Sequence, residues 1–118
     1  MLYFKTQKNK VQGQLSADKL QQAIDYIQSN LAEEISLESI ANELGISRYY
    51  FCRLFKKSMG ISPYQYLIES RIERAKELLI QPDISITDVA LKVGFYSQSH
   101  FTKYFKKVVG VTPKEFSR

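Results

Sequence analysis

The sequence predicts an all-α fold in which one helical unit occurs twice, with a helix between the two copies. Three observations predict it. Apolar residues recur at intervals of three and four from Ser16 onward, which is the spacing of a buried helix face. Two stretches of the chain repeat each other 49 or 50 residues apart. Serines precede the apolar segments and glycines follow several of them, as expected at helix ends.

The composition favours one small globular domain or two very small ones. The 118 residues include 44% hydrophobic side chains, five Gly and three Pro, which is too apolar and too poor in helix breakers for a disordered chain. Cys52 is the single cysteine, and no segment has the pattern of a signal peptide or a membrane span. We therefore expect a soluble cytoplasmic protein. Cys52 and His100 alone are too few for a zinc site, so neither a metal nor a cofactor is expected.

The first helix is predicted from Ala17 to Asn30. Ser16 is its expected cap, and Leu20, Ile24 and Ile27 share one face. Residues 1–15 have no sustained period and are interpreted as a tail or a linker remnant.

The internal repeat covers most of the remaining chain. The segment ISLESIANELGI from Ile35 matches ISITDVALKVGF from Ile84 at an offset of 49. The segment FCRLFKKSMGISPYQY from Phe51 matches FTKYFKKVVGVTPKEF from Phe101 at an offset of 50. One inserted residue, expected near residues 97–99, accounts for the change of offset.

Each copy of the repeat reads as a helix, a tight turn that contains glycine, and a second helix. A serine begins each helix, and a glycine ends the first one. These residues are Ser36, Gly45 and Ser47 in the first copy and Ser85, Gly94 and Ser97 in the second. The pattern predicts two helix-turn-helix units.

The second helix of each unit separates apolar from basic residues. Positions spaced by three and four are expected to be buried, namely Phe51, Leu54, Phe55 and Met59, and Phe101, Tyr104, Phe105 and Val108. Residues 47–60 and 95–114 each hold four Lys or Arg and no acid, whereas residues 18–43 hold six acids and one base. Two matched basic helices indicate two contacts with phosphate.

The segment between the units is predicted to be a helix too. It begins at the Ser62-Pro63 pair and stops before Pro82. The expected organisation is therefore a first unit over 16–61, a connecting helix over 62–81 and a second unit over 82–118. A helix of this size is about 25 Å long, which makes it a stiff spacer between the two units. Successive major grooves on one face of DNA recur about every 34 Å, so this connection favours one reading helix in each of two successive grooves.

The tandem units, the connecting helix and above all GFYSQSHFTKYFKKVVGVTPKEF resemble the C-terminal DNA-binding domain of the AraC/XylS family of bacterial transcription regulators. The resemblance covers about residues 17–118. It implies seven helices, of which the third and sixth enter adjacent major grooves of double-stranded DNA. It also implies that base edges are faced by Tyr49, Cys52 and Arg53 on the first reading helix and by Gln98, Ser99, Thr102 and Lys103 on the second.

The chemistry of these side chains gives each a role. Arg53 suits a forked contact with guanine, Lys103 matches it in the second copy, Gln98 suits adenine and Thr102 suits a thymine methyl group. The residues expected on phosphates are Arg48, Lys56, Lys57, Lys106 and Lys107.

The sequence also bears on two other function classes, an enzyme and a protein-interaction module. An enzyme is not expected, because the single His100 is isolated and the acids lie on outward or helix-start positions. A protein-interaction module is the alternative, and salt dependence distinguishes it from a DNA-binding domain. The resemblance further implies association with the nucleoid, RNA polymerase as a partner if the regulator is an activator, and a sensor or dimerisation domain outside this chain.

Overall fold

A computed structural model describes residues 15–117. Within this range the structure has seven α-helices and no strand, which confirms the predicted all-α fold. The helices are α1 (Ala17–Ser29), α2 (Leu37–Leu44), α3 (Arg48–Met59), α4 (Pro63–Leu79), α5 (Ile86–Lys92), α6 (Gln98–Val109) and α7 (Pro113–Ser117). The interpretation of residues 1–14 as a tail concerns residues outside the described part.

Serine caps begin the helices where the sequence predicts them. Each cap hydroxyl accepts a hydrogen bond from the backbone N–H three residues later, as in Ser47 with Tyr50 and Ser97 with His100. Such a bond satisfies one of the backbone donors that the first helical turn leaves unpaired. The last helix uses a reciprocal pair instead, in which Thr112 and Glu115 each accept a hydrogen bond from the other's backbone N–H.

The chain divides into two compact units. The first contains the described residues up to Asn30 together with Ile35–Tyr66, and the second contains Leu31–Glu34 and the described residues from Leu67 onward. This division differs from the expected one, because it passes through α4 instead of setting the helix apart. It also assigns Leu31–Glu34, which follow the α1 cap Asn30, to the second unit.

The first unit buries one apolar face from each of its helices. Its core residues are Leu20, Ala23, Ile27, Ile40, Ala41, Leu44, Phe51, Leu54 and Phe55. Leu15, which was predicted to lie in the tail, also belongs to this unit: it is 7% exposed, and its N–H donates to Ser58 Oγ at 3.0 Å. The ring of Phe55 meets that of Tyr66 edge to face, which joins the start of α4 to this core.

The second unit has a core of its own. It consists of Ile68, Ile72, Ala75, Leu78, Leu79, Val89, Ala90, Val93, Phe95, Phe101 and Phe105. One prediction for α6 was wrong at its last turn: Val108 is 43% exposed, and Val109 packs against the core instead. Val109 is still helical, lies four residues after Phe105 and is the equivalent of Met59 at the repeat offset of 50, so the buried face continues through i+4 and not through i+3. Met59, at the equivalent end of α3, is half-buried.

Backbone hydrogen bonds locate the residue inserted in the second copy. Ile46 N–H donates to Ala41, and Phe95 N–H donates to Ala90, so these two turns match at an offset of 49. The caps Ser47 and Ser97 match at an offset of 50. The inserted residue is therefore Tyr96, immediately before the α6 cap and next to the expected position near residues 97–99.

A buried arginine supports the turn between α5 and α6. Arg71 is 8% exposed, and its guanidinium donates to the carbonyl oxygens of Leu31 and Glu33, each at 2.8 Å. The same group lies 5.9 Å from the centre of the Phe95 ring. Arg71 thus joins α4, the segment Leu31–Glu34 and the second turn within one unit.

Candidate nucleic-acid interface

Helix α3 is held by its apolar face and presents its basic face to solvent. Phe51, Leu54 and Phe55 are buried, while the basic residues of the helix, namely Arg48, Arg53, Lys56 and Lys57, are exposed. Tyr49, one residue into the helix, is 78% exposed. The helix contains no acid, so its outward face is positive along its whole length.

The helix that precedes α3 is fixed by a lysine from α1. Lys19 Nζ donates to the carbonyl oxygen of Leu44 at 2.9 Å, at the C-terminus of α2. A cation at this end satisfies a carbonyl that the helix leaves unpaired and opposes the negative end of its dipole. Lys19 thereby ties the start of the turn between α2 and α3 to α1.

Cys52 differs from its neighbours on the outward face of α3. It is half-buried, and burial raises the pKa of its thiol, while the nearby Arg48 acts in the opposite direction. The thiol is therefore neutral at physiological pH. A neutral thiol is a weak hydrogen-bond donor, so Cys52 offers a base mainly an apolar contact.

Helix α6 repeats the arrangement of α3 in the second unit. Phe101 and Phe105 are fully buried, while Gln98, Ser99, Lys103, Lys106 and Lys107 are exposed and Thr102 is half-buried. The predicted outward residues of α6 therefore all retain access to solvent, as do those of α3. The buried phenylalanines serve the core in both helices and are not available for stacking on bases.

Two side chains of α6 are engaged within their own unit. Lys103 Nζ lies 5.8 Å from the centre of the Tyr104 ring. Gln98 Oε1 accepts a hydrogen bond from Thr87 Oγ1, which lies in the first turn of α5. Of the residues expected to read bases, Gln98 is thus bonded to a residue of another helix.

Sequence reasoning did not select Tyr96 as a site residue. This inserted tyrosine is 90% exposed and directly precedes the cap of α6. The change of offset in the repeat was the signal that could have found it. His100, in the first turn of the same helix, meets the rings of Phe95 and Tyr104 edge to face, and these two rings also stack on each other. Its Nδ1 is buried without a hydrogen-bond partner.

Neither a membrane span nor a metal site is found in residues 15–117. No helix in this range combines the length and the hydropathy needed to cross a bilayer. No three His, Cys, Asp or Glu side chains in the described part are grouped so that they could hold a metal ion.

Comparison with known proteins identifies the family. A family profile described as a helix-turn-helix domain matches residues 40–118. The regulatory protein PocR of Salmonella typhimurium is 37% identical over 98 residues, which are 83% of this chain and 32% of PocR. The transcriptional regulator ArgR of Pseudomonas aeruginosa is 36% identical over 100 residues, which are 85% of this chain and 30% of ArgR. The chain thus spans about a third of the length of these relatives.

Solved structures have the same fold. An AraC-type transcriptional regulator from Chromobacterium violaceum superimposes with a TM-score of 0.79 at 36% identity, covering 86% of this chain and 91% of that chain. The DNA-binding domain of AdpA, determined in complex with a target DNA, superimposes with a TM-score of 0.78 at 29% identity, covering 84% and 89%. The profile match extends over well more than half of the chain, and the solved structures share its fold. This chain belongs to the AraC-type helix-turn-helix family of DNA-binding domains.

Proposed function

We propose that the chain binds double-stranded DNA sequence-specifically and thereby acts in transcription regulation, with α3 and α6 entering successive major grooves. The observation that carries this proposal is the duplicated outward face of these helices. Both contain basic residues and no acid, and both are anchored by two fully buried phenylalanines. The DNA complex of the structurally similar AdpA domain supports the same function.

The side chains divide into two groups in this proposal. Base edges are contacted by Tyr49, Cys52, Arg53, Gln98, Ser99, Thr102 and Lys103. Phosphates are contacted by Arg48, Lys56, Lys57, Lys106 and Lys107. Their positions on the exposed or half-buried faces of α3 and α6 support this assignment. The first group selects a sequence, and the second contributes affinity for any duplex.

The wider setting of the domain is also a proposal. The related regulators are roughly three times longer than the region matched here, so a sensing or dimerising domain is expected alongside this one in the regulator. The regulator would act in the bacterial cytoplasm at the nucleoid, with RNA polymerase as a second partner if it is an activator. No catalytic step is proposed for this domain, since its family consists of DNA-binding regulators.

Selection from a random pool of duplexes, followed by footprinting of the selected site, tests the proposal. We expect one preferred sequence with two protected stretches about one helical turn, or 10 base pairs, apart on the same side of the duplex. Selection of no sequence would refute sequence-specific binding. Protection of a single stretch would refute the use of two grooves.

A further inference from the structure

The side chain of Gln98 is bonded to a residue outside its own helix. Thr87 lies in the first turn of α5, two residues after its cap Ser85, and Gln98 is the first residue of α6. Thr87 Oγ1 donates a hydrogen bond to Gln98 Oε1. Both side chains are exposed, so the pair lies on the surface of the second unit beside the start of the proposed reading helix.

This hydrogen bond changes what Gln98 can offer to a base. A free glutamine amide presents an acceptor and a donor together, which match N6–H and N7 of adenine. When the carbonyl oxygen is held against Thr87, one of its two lone pairs is occupied, and the NH₂ group is the part of the amide that stays fully available to a base. Two N–H donors suit an edge that carries acceptors, such as O6 and N7 of guanine or O4 of thymine.

We propose that Thr87 is a positioning residue. It holds the carbonyl oxygen of Gln98 so that the NH₂ group faces the base, and Gln98 therefore selects guanine or thymine over adenine. The inference rests on the proposed function. Once the duplex covers Thr87 and Gln98, water competes less for the hydrogen bond between them. This hydrogen bond then fixes the orientation of the amide more strongly. Thr87 itself need not contact DNA.

The first unit does not repeat this pair. The positions equivalent to Thr87 and Gln98 are Glu38 and Arg48, by the offsets of 49 and 50. An amide carries an acceptor on one side and a donor group on the other, whereas a carboxylate has only acceptors and a guanidinium only donors. Turning either of these groups therefore does not replace an acceptor by a donor. The proposed selection by orientation therefore belongs to the second unit alone.

Base preference profiles of four proteins test the proposal, each measured by selection and sequencing from one random duplex pool. Gln98→Ala first identifies the base position that Gln98 reads, because its preference should be lost there. The unaltered protein should favour guanine or thymine at that position. Thr87→Val, which removes the hydroxyl while keeping the shape, should reduce the preference over adenine roughly 3- to 30-fold at the same position.

Thr87→Ser is the rescue variant, since it restores the hydroxyl, and it should restore the preference. Thermal unfolding followed by circular dichroism confirms that each variant is folded. An unchanged profile for Thr87→Val, an adenine preference in the unaltered protein, or no position that responds to Gln98→Ala would each overturn the inference while leaving DNA binding intact. Failure of the unaltered protein to select any sequence would instead refute the proposed function.

Discussion

At the scale of single residues, Arg53 is the clearest test of base reading. It is exposed on α3, one turn from the helix start, and its guanidinium can donate two parallel hydrogen bonds to guanine O6 and N7. We expect Arg53→Ala to reduce the preference at one or two base pairs by about 1 to 3 kcal/mol. Arg53→Lys is the control, because it keeps the charge and loses the fork. An unchanged base profile for Arg53→Ala would remove Arg53 from the reading role.

Lys106 tests the other role on the equivalent helix. It is exposed on the acid-free face of α6, where a lysine contributes a point charge to phosphate and no base discrimination. We expect Lys106→Ala to weaken binding to cognate and random duplexes to the same extent, by roughly threefold to tenfold at low salt. Fluorescence anisotropy with both duplexes measures this.

Lys92→Ala is the matched control for Lys106→Ala. Lys92 is an exposed lysine on α5, outside both proposed reading helices, and its removal changes the net charge equally. It should have a much smaller effect on affinity. A loss confined to cognate DNA in Lys106→Ala would contradict the phosphate role of Lys106.

At the scale of secondary structure elements, the turn between α5 and α6 depends on close packing around a glycine. Gly94 has a φ of 99°, and a Cβ built there would lie 2.9 Å from Arg71 Nε and 3.0 Å from the Leu31 carbonyl oxygen. The guanidinium has little freedom to move away, because it is buried and hydrogen-bonded to two backbone carbonyls. The space at Gly94 is thus limited by the backbone as well as by a side chain.

Gly94→Ala is therefore expected to destabilise the second unit strongly. Gly110 is the matched control: it lies in the same unit and has the same φ of 99°, but a Cβ there would meet nothing within 4 Å. Both alanine variants suffer the same backbone strain, whereas only Gly94→Ala also overpacks. We expect its loss in the free energy of unfolding to exceed that of Gly110→Ala by about 1 to 3 kcal/mol. Urea denaturation measures both, and equal losses would show that the contact with Arg71 and Leu31 relaxes freely.

The helices themselves were largely predictable from the sequence because helix signals are local. Caps such as Ser47 and Ser97 act on the backbone three residues later, and an apolar face repeats within four residues. The choice of Val108 at the last turn of α6 was wrong, because the i+4 step from Phe105 and the offset of 50 from Met59 both lead to Val109, which packs against the core. Sequence alone located the inserted residue only approximately, and the backbone hydrogen bonds of the two turns identify it as Tyr96.

At the scale of the whole molecule, salt dependence tests whether phosphate contacts provide most of the affinity. Five side chains are proposed to contact phosphate, and each contact releases condensed counterions from the duplex. The logarithm of the association constant should therefore fall linearly with the logarithm of salt concentration, with a slope of about −4 to −5. Anisotropy titrations between 50 and 200 mM salt, roughly the range over which such slopes are resolved, measure it. A flat dependence would favour the protein-interaction alternative.

The chain by itself determined six helices in their order, the duplication and the positive outward faces of α3 and α6, because each depends on residue type and short-range spacing. The seventh helix, α7, was expected only from the family resemblance. Tertiary structure alone decided which distant groups meet. Arg71 reaches carbonyl oxygens 40 and 38 positions away, and Thr87 reaches Gln98 across a turn. Such contacts depend on how helices pack against each other. Local sequence patterns relate residues only three or four positions apart, so they do not predict that packing.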